Sequence, residues 1–148
     1  MFKLFSILLF GGILLSVSSN SVLVAHENVI QSRQQGMRLA ENKIMEIREA
    51  LKKQNFSKII IEAKILKEWS NKMVSYFPVG SEASEDNYSA ASADIWNNLK
   101  HFKKLVRDKR DGINQIISSA KEKNESHVTD AIWDTLDTCN TCHEQFRN

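Results

Sequence analysis

Almost nothing in this sequence breaks a helix. One proline and five glycines stand among 148 residues, and two of those glycines, Gly11 and Gly12, lie in the apolar N-terminal stretch. That is too little turn chemistry for a β-rich fold, so the chain reads as all-α. An excess of one charge is also missing. The 20 Lys and Arg face 18 Asp and Glu, a net +2, which gives no broad basic field calling for nucleic acid. The local run Lys100, Lys103, Lys104, Arg107, Lys109 and Arg110 reads as a solvated helix face. No G-x-S-x-G, glycine-rich phosphate loop or H-E-x-x-H occurs, so no catalytic constellation of those classes is present and no enzyme is expected.

An apolar run long enough to span a bilayer is lacking too. Residues 1–15 hold one basic residue, Lys3, followed by an apolar run that is too short. With Ser16, Ser18, Ser19 and Ala25 following, residues 1–25 read as a secretory signal peptide, cleaved between about 18 and 25. The lesser alternative is a short N-terminal anchor. Once the signal is cleaved, residues 26–148 form one domain with no membrane segment, enough for a single core.

Apolar positions at alternating steps of three and four predict four helices. The first, from about Asn28 to Lys53, carries the seam Ile30, Arg33, Met37, Ala40, Ile44, Ile47 and Leu51. The second begins near Asn55 and carries Phe56, Ile59, Ala63, Leu66, Met73 and Phe77 before ending at Pro78 and Gly80. A turn-rich loop follows over residues 77–87. The third is expected as one long helix from about Ser89 to Lys121. Its polar run 107–112 is read as helix because Ile113 returns in phase with Val106, which places Lys109 on the rim. The fourth starts near Asn124 and carries Val128, Ile132, Thr135, Cys139, Cys142 and Phe146. Two short connections and one long one fit an antiparallel four-helix bundle.

The chemistry is concentrated in the last ten residues. Cys139 and Cys142 are spaced C-x-x-C with His143 immediately after, and they are the only two cysteines in the chain. This is what covalent haem c attachment requires: each thiol adds across a vinyl group to form a thioether, and the adjacent histidine reaches the iron. Three other chemistries are available to C-x-x-C. A dithiol redox centre normally sits at a helix N-terminus in a βαβ context, which is absent here. A zinc site needs further ligands, and His26, His101 and His127 do not supply the spacing. A disulfide closing so short a loop gains little.

In an up-down bundle the haem end also gathers the start of the first helix and the end of the second. Arg33, on an inward seam, needs an anion, and a haem propionate is the obvious one. The alternative is an arginine that reaches solvent from the first turns. Met37, one turn further in on the same face, is the leading candidate for an axial ligand opposite His143. Met73 competes for that role, an iron with no protein ligand there is a third arrangement, and Met45 is about 12 Å further along the helix. Trp69, Phe77, Trp96 and Phe146 supply a candidate apolar wall.

Taken together, Ser32-Arg33-Gln34-Gln35-Gly36-Met37, Phe77-Pro78-Val79-Gly80-Ser81, Ala93-Asp94-Ile95-Trp96 with Phe102, and Cys139-x-x-Cys142-His143 with Phe146-Arg147 resemble the cytochrome c′ family. The likeness covers essentially the whole mature chain. It implies a periplasmic protein with one haem c, Arg33 beside the propionates, and the residue four later covering the distal face. In typical five-coordinate, gas-binding members that residue is apolar and does not ligate. Met37 instead resembles the low-spin, six-coordinate branch, which implies single-electron transfer with His143 and Met37 on the iron. The alternative is a five-coordinate or Met-displaceable member that binds or senses nitric oxide or carbon monoxide. A dithiol oxidoreductase built on Cys139 and Cys142 is a third reading. The expected partners are redox proteins, and relatives often form homodimers through their first two helices.

Overall fold

The structure, a computed structural model, describes residues 19–148, with side chains described from residue 28 onward. Its helices are α1 (Ser19–Lys52), α2 (Phe56–Lys72), α3 (Asp94–Asn97), α4 (Leu99–Lys121) and α5 (Glu125–Phe146), with a 3-10 turn at Met73–Tyr76 between α2 and the long loop. The expected signal peptide lies largely outside the described residues. No helix among them is long and apolar enough to cross a membrane.

The four long helices form the expected antiparallel bundle. The predicted seams are its core: Ile47, Ile59, Leu66, Ile113, Ile116 and Val128 are each fully buried. Neighbouring helices pack in the order α1 on α2, α2 on α4 and α4 on α5. Gly112 lets α4 and α5 approach closely, since a Cβ there would lie 2.5 Å from Thr135 Oγ1. The ring closes poorly, because α1 and α5 touch little along their length.

The two short connections share one construction. Gln54 (φ 51°) and Lys123 (φ 53°) adopt the left-handed conformation just past α1 and α4. The next residues, Asn55 and Asn124, return their backbone N–H groups to Ala50 O (2.9 Å) and Ser119 O (3.0 Å). Their side chains then accept from Lys58 N (3.0 Å) and His127 N (3.1 Å), capping α2 and α5. Each asparagine thus closes one helix and starts the next, satisfying backbone groups that would otherwise be orphaned.

The third helix differs from expectation. Instead of one element from Ser89, the chain has the single turn α3, a break at Asn98 (φ −120°, ψ 38°), and then α4. The residues before α3 are engaged elsewhere. Ser92 N donates to Phe146 O (2.9 Å), Asn148 N donates to Ala90 O (2.9 Å), and Ala83 N donates to Ala91 O (2.8 Å). Ala91 and Arg147 form an antiparallel bridge. Backbone groups committed to these partners cannot join a helical ladder, so the helix starts late. The same bonds tie the end of α5 to the loop.

Candidate functional site

Where α1 and α5 stand apart, a cavity of about 790 Å³ opens between them. One wall is α1, with Arg33, Met37, Ile44, Met45 and Arg48. The opposite wall is α5, with Leu136, Cys139, Cys142, His143 and Phe146, continued by Arg147 just past its end. Leu66 from α2, Met73 from the 3-10 turn after it, and Phe102, Leu105, Val106 and Lys109 from α4 form its floor. The sequence candidates Arg33, Met37, Cys139, Cys142 and His143 therefore share one space. The volume lies in the range of small-molecule and cofactor sites, and the floor is mainly apolar.

Cys139 and Cys142 are free and half-buried, one turn apart near the C-terminal end of α5. Burial pushes both thiols up, Cys142 to about 11; Lys109 opposes this for each, while Cys139 adds to it for Cys142. A reactive dithiol shows the opposite shift and normally sits at a helix N-terminus. Among the described residues no group of three or more His, Cys, Asp and Glu side chains can hold a metal. His143 borders the cavity. Its burial lowers its pKa, and Arg147 and Lys109 push in the same direction. Two thiols and a partly exposed imidazole bordering one cavity, with desolvation favouring the neutral ring, suit a haem held by two thioethers and one histidine.

Arg33 is buried, 4% exposed, and does not reach solvent. Its Nη1 donates to Tyr76 O (3.1 Å) and Ser81 Oγ (3.0 Å), and its Nη2 donates to Ser81 O (2.9 Å) and Ser89 Oγ (2.7 Å). The guanidinium also stands over the Phe77 ring, 4.6 Å from its centroid. One side chain on α1 thus gathers the long loop across 56 residues of sequence and closes the end of the cavity. Burial lowers the pKa of Arg33, though an arginine stays charged.

Of the expected aromatic wall, Phe77 and Phe146 line the cavity and Trp69 and Trp96 do not. Trp96 Nε1 donates to Phe77 O (3.2 Å), and Trp69 packs 5.1 Å from Tyr76. Phe102 takes their place, edge-on to both Phe77 (4.8 Å) and Phe146 (5.6 Å). Met37 is half-buried, Met73 is 4% exposed, and Met45, at 56% exposed, also borders the cavity. Lys109, expected on a solvated rim, is 6% exposed. Its position gave the signal: it stands three residues after Val106 and four before Ile113, both buried, and so shares their seam.

An antiparallel helix bundle presenting Cys-x-x-Cys-His to an interhelical cavity near its C-terminus defines a four-helix-bundle c-type cytochrome. The family model described as cytochrome C′ matches residues 28–147, and the chain belongs to that family. Solved structures share the fold. Cytochrome c′ from Thermochromatium tepidum aligns with a TM-score of 0.74 at 22% identity, covering 82% of this chain and 96% of that one. A nitric oxide complex of a variant cytochrome c prime from Alcaligenes xylosoxidans gives 0.73 at 21%, covering 83% and 95%. A cytochrome c′ described as having an unusual ligand-controlled dimer dissociation gives 0.75 at 21%, covering 82% and 95%. A comparison with curated protein sequences finds no match.

Proposed function

We propose that this protein is a periplasmic one-electron carrier holding a single haem c, joined to Cys139 and Cys142 by thioethers and ligated by His143 and Met37. One observation carries the reading: Met37 and His143 border the same cavity from α1 and α5, the two helices that bound it on opposite sides. A thioether opposite an imidazole raises the reduction potential and suits electron transfer. When bound, the haem supplies a one-electron change at its iron. The chain's own residues position it and exclude water: Phe77, Phe102 and Phe146 give dry contact, and Arg33 pins the loop over the end of the cavity. A propionate would meet the Arg33 guanidinium as a partner added to its four protein bonds.

A visible spectrum of the oxidised and reduced protein tests this. The expected result is a low-spin iron with the methionine-to-iron charge-transfer band in the oxidised form. A high-spin spectrum at neutral pH would favour the second reading, a five-coordinate or Met-displaceable protein that binds nitric oxide or carbon monoxide. That reading draws support from the likeness to a cytochrome c prime solved with nitric oxide. Pairing of two copies through α1 and α2 is part of the proposal, since Leu39, Ile61 and Ile65 leave apolar surface exposed on those helices.

A further inference from the structure

The charged groups around the cavity are not equivalent. Arg38, Glu41, Arg48 and Arg147 are exposed, where water and salt screen them. Arg33 is buried, but its charge is shared among four protein acceptors. Lys109 matches neither group. It is 6% exposed and lines the cavity floor on α4. The ion pairs of the described residues lie elsewhere, at Lys43, Lys52 and Lys104. No hydrogen bond from Lys109 Nζ to a described residue accompanies it.

Lys109 Nζ is not among the fully enclosed, unpartnered polar atoms of the described residues, so it opens onto the cavity. An ammonium covered there without an anion would be costly, and whatever fills the cavity is expected to supply negative charge. The titratable groups that Lys109 senses are Cys139 and Cys142, and His143 senses Lys109 in turn. Once both sulfurs are thioethers, neither can become an anion. What remains to offset the lysine is the charge of the haem, which falls by one unit each time an electron arrives from a redox partner and rises by one when it leaves.

We infer that Lys109 is the fixed positive charge that sets the reduction potential of this site: an ammonium held in the cavity floor that favours the reduced over the oxidised iron. The interaction passes through protein rather than water, so it is strong for its distance and resists screening. Lys103, exposed on the same helix, has no such leverage. The inference rests on the haem seat proposed above and not on the identity of the sixth ligand.

The test is a spectroelectrochemical titration of the purified holoprotein and four variants, at low and high salt. Lys109→Met keeps the length of the side chain and removes the charge, Lys109→Gln is a second neutral replacement, Lys109→Arg keeps the charge, and Lys103→Met is the surface control. Both neutral variants are expected to shift the oxidised-to-reduced ratio at a fixed ambient potential about tenfold toward oxidised, or ~59 mV for one electron. Lys109→Arg and Lys103→Met should stay within about twofold of the wild type, and the shift should persist at high salt. A midpoint unchanged in both neutral variants overturns the inference. So does a Lys109→Arg protein that falls as far as Lys109→Met, which would make the effect one of shape, or a shift that vanishes in salt. The same spectra report ligation separately. A wild type lacking the methionine band whose midpoint still depends on Lys109 refutes Met37 as ligand and leaves the inference standing; protein purified without covalent haem overturns both.

Discussion

A Cβ built on Gly36 would fall 2.2 Å from the Trp69 ring, so the indole of α2 occupies the space that any side chain at position 36 of α1 would need. The contact fixes how closely α1 approaches α2, and Met37 is the next residue along. Gly36→Ala therefore forces α1 outward or Trp69 out of its buried site. Overpacking of this kind costs about 1–3 kcal/mol, which exceeds the roughly 0.5–1 kcal/mol that alanine gains over glycine within a helix. The expected outcome is a lower thermal midpoint with a weakened methionine-to-iron band. A variant as stable as the wild type with an unchanged band would refute the argument.

Arg33 predicts a different failure. Arg33→Leu leaves Tyr76 O without its side-chain donor, at about 1–3 kcal/mol. It also removes one of the two donors to Ser81 O, which keeps Ser89 Oγ at 2.9 Å, along with the charged bonds to Ser81 Oγ and Ser89 Oγ. A total loss of about 3 kcal/mol is expected, concentrated in the loop. Hydrogen exchange should show residues 77–92 losing protection while the far end of the bundle, around Ile47 and Ile116, keeps it. Arg33→Lys retains the charge but not the fork that reaches four acceptors, so it should recover only part of the loss. Uniform loss of protection along all four helices would mean that Arg33 does not act through the loop.

These contacts show which parts of the molecule are legible as pattern. The helix seams are, because a buried face repeats every three or four residues and the bundle buries what the repeat selects. The places of the two short turns are legible as well, from the helix starts at Asn55 and Asn124, but their conformation is not, because Gln54 and Lys123 adopt a left-handed conformation that a glycine would have announced. The late start of α3 is invisible for another reason: Ala90 O accepts from Asn148 N, Ser92 N donates to Phe146 O and Ala91 bridges Arg147, partners more than fifty residues away. The site residues Cys139, Cys142 and His143 are legible as a motif. The buried environment of Lys109 is hidden by the charges around it, although its phase with Val106 and Ile113 was present all along.

Met37 carries the sharpest prediction about the iron. If its thioether closes the site, a ligand from solution competes with a Met-off state of small population, ~0.1–10% for a gap of a few kcal/mol. Met37→Ala makes that state the only one, so carbon monoxide should bind the reduced protein about ten- to a thousandfold more tightly than in the wild type. Met73→Leu is the control, since Met73 borders the same cavity but is 4% exposed in the core. Flash photolysis or equilibrium titration measures the difference. Unchanged binding in Met37→Ala together with opened binding in Met73→Leu would transfer the role to Met73.

Lys109 should also leave a signature in stability. Burial is the main cause that lowers its pKa in the folded protein, with the neighbouring thiols opposing. In the unfolded chain it returns to the usual lysine range, ~10.4. Between the folded and unfolded values the unfolded state binds more protons, so stability rises with pH across that window, and below it the desolvation cost is felt in full. Lys109→Met removes the cost at every pH. The variant is therefore expected to be more stable than the wild type below that window, with an advantage that narrows as the pH rises through it and the folded wild type sheds its proton ahead of the unfolded chain. Denaturant titrations of both holoproteins across that range measure the difference, in which the titration of the exposed lysines cancels. An advantage that widened with pH would mean that the folded state holds the proton more tightly than the unfolded chain, and would require a carboxylate partner for Lys109 in the loaded site.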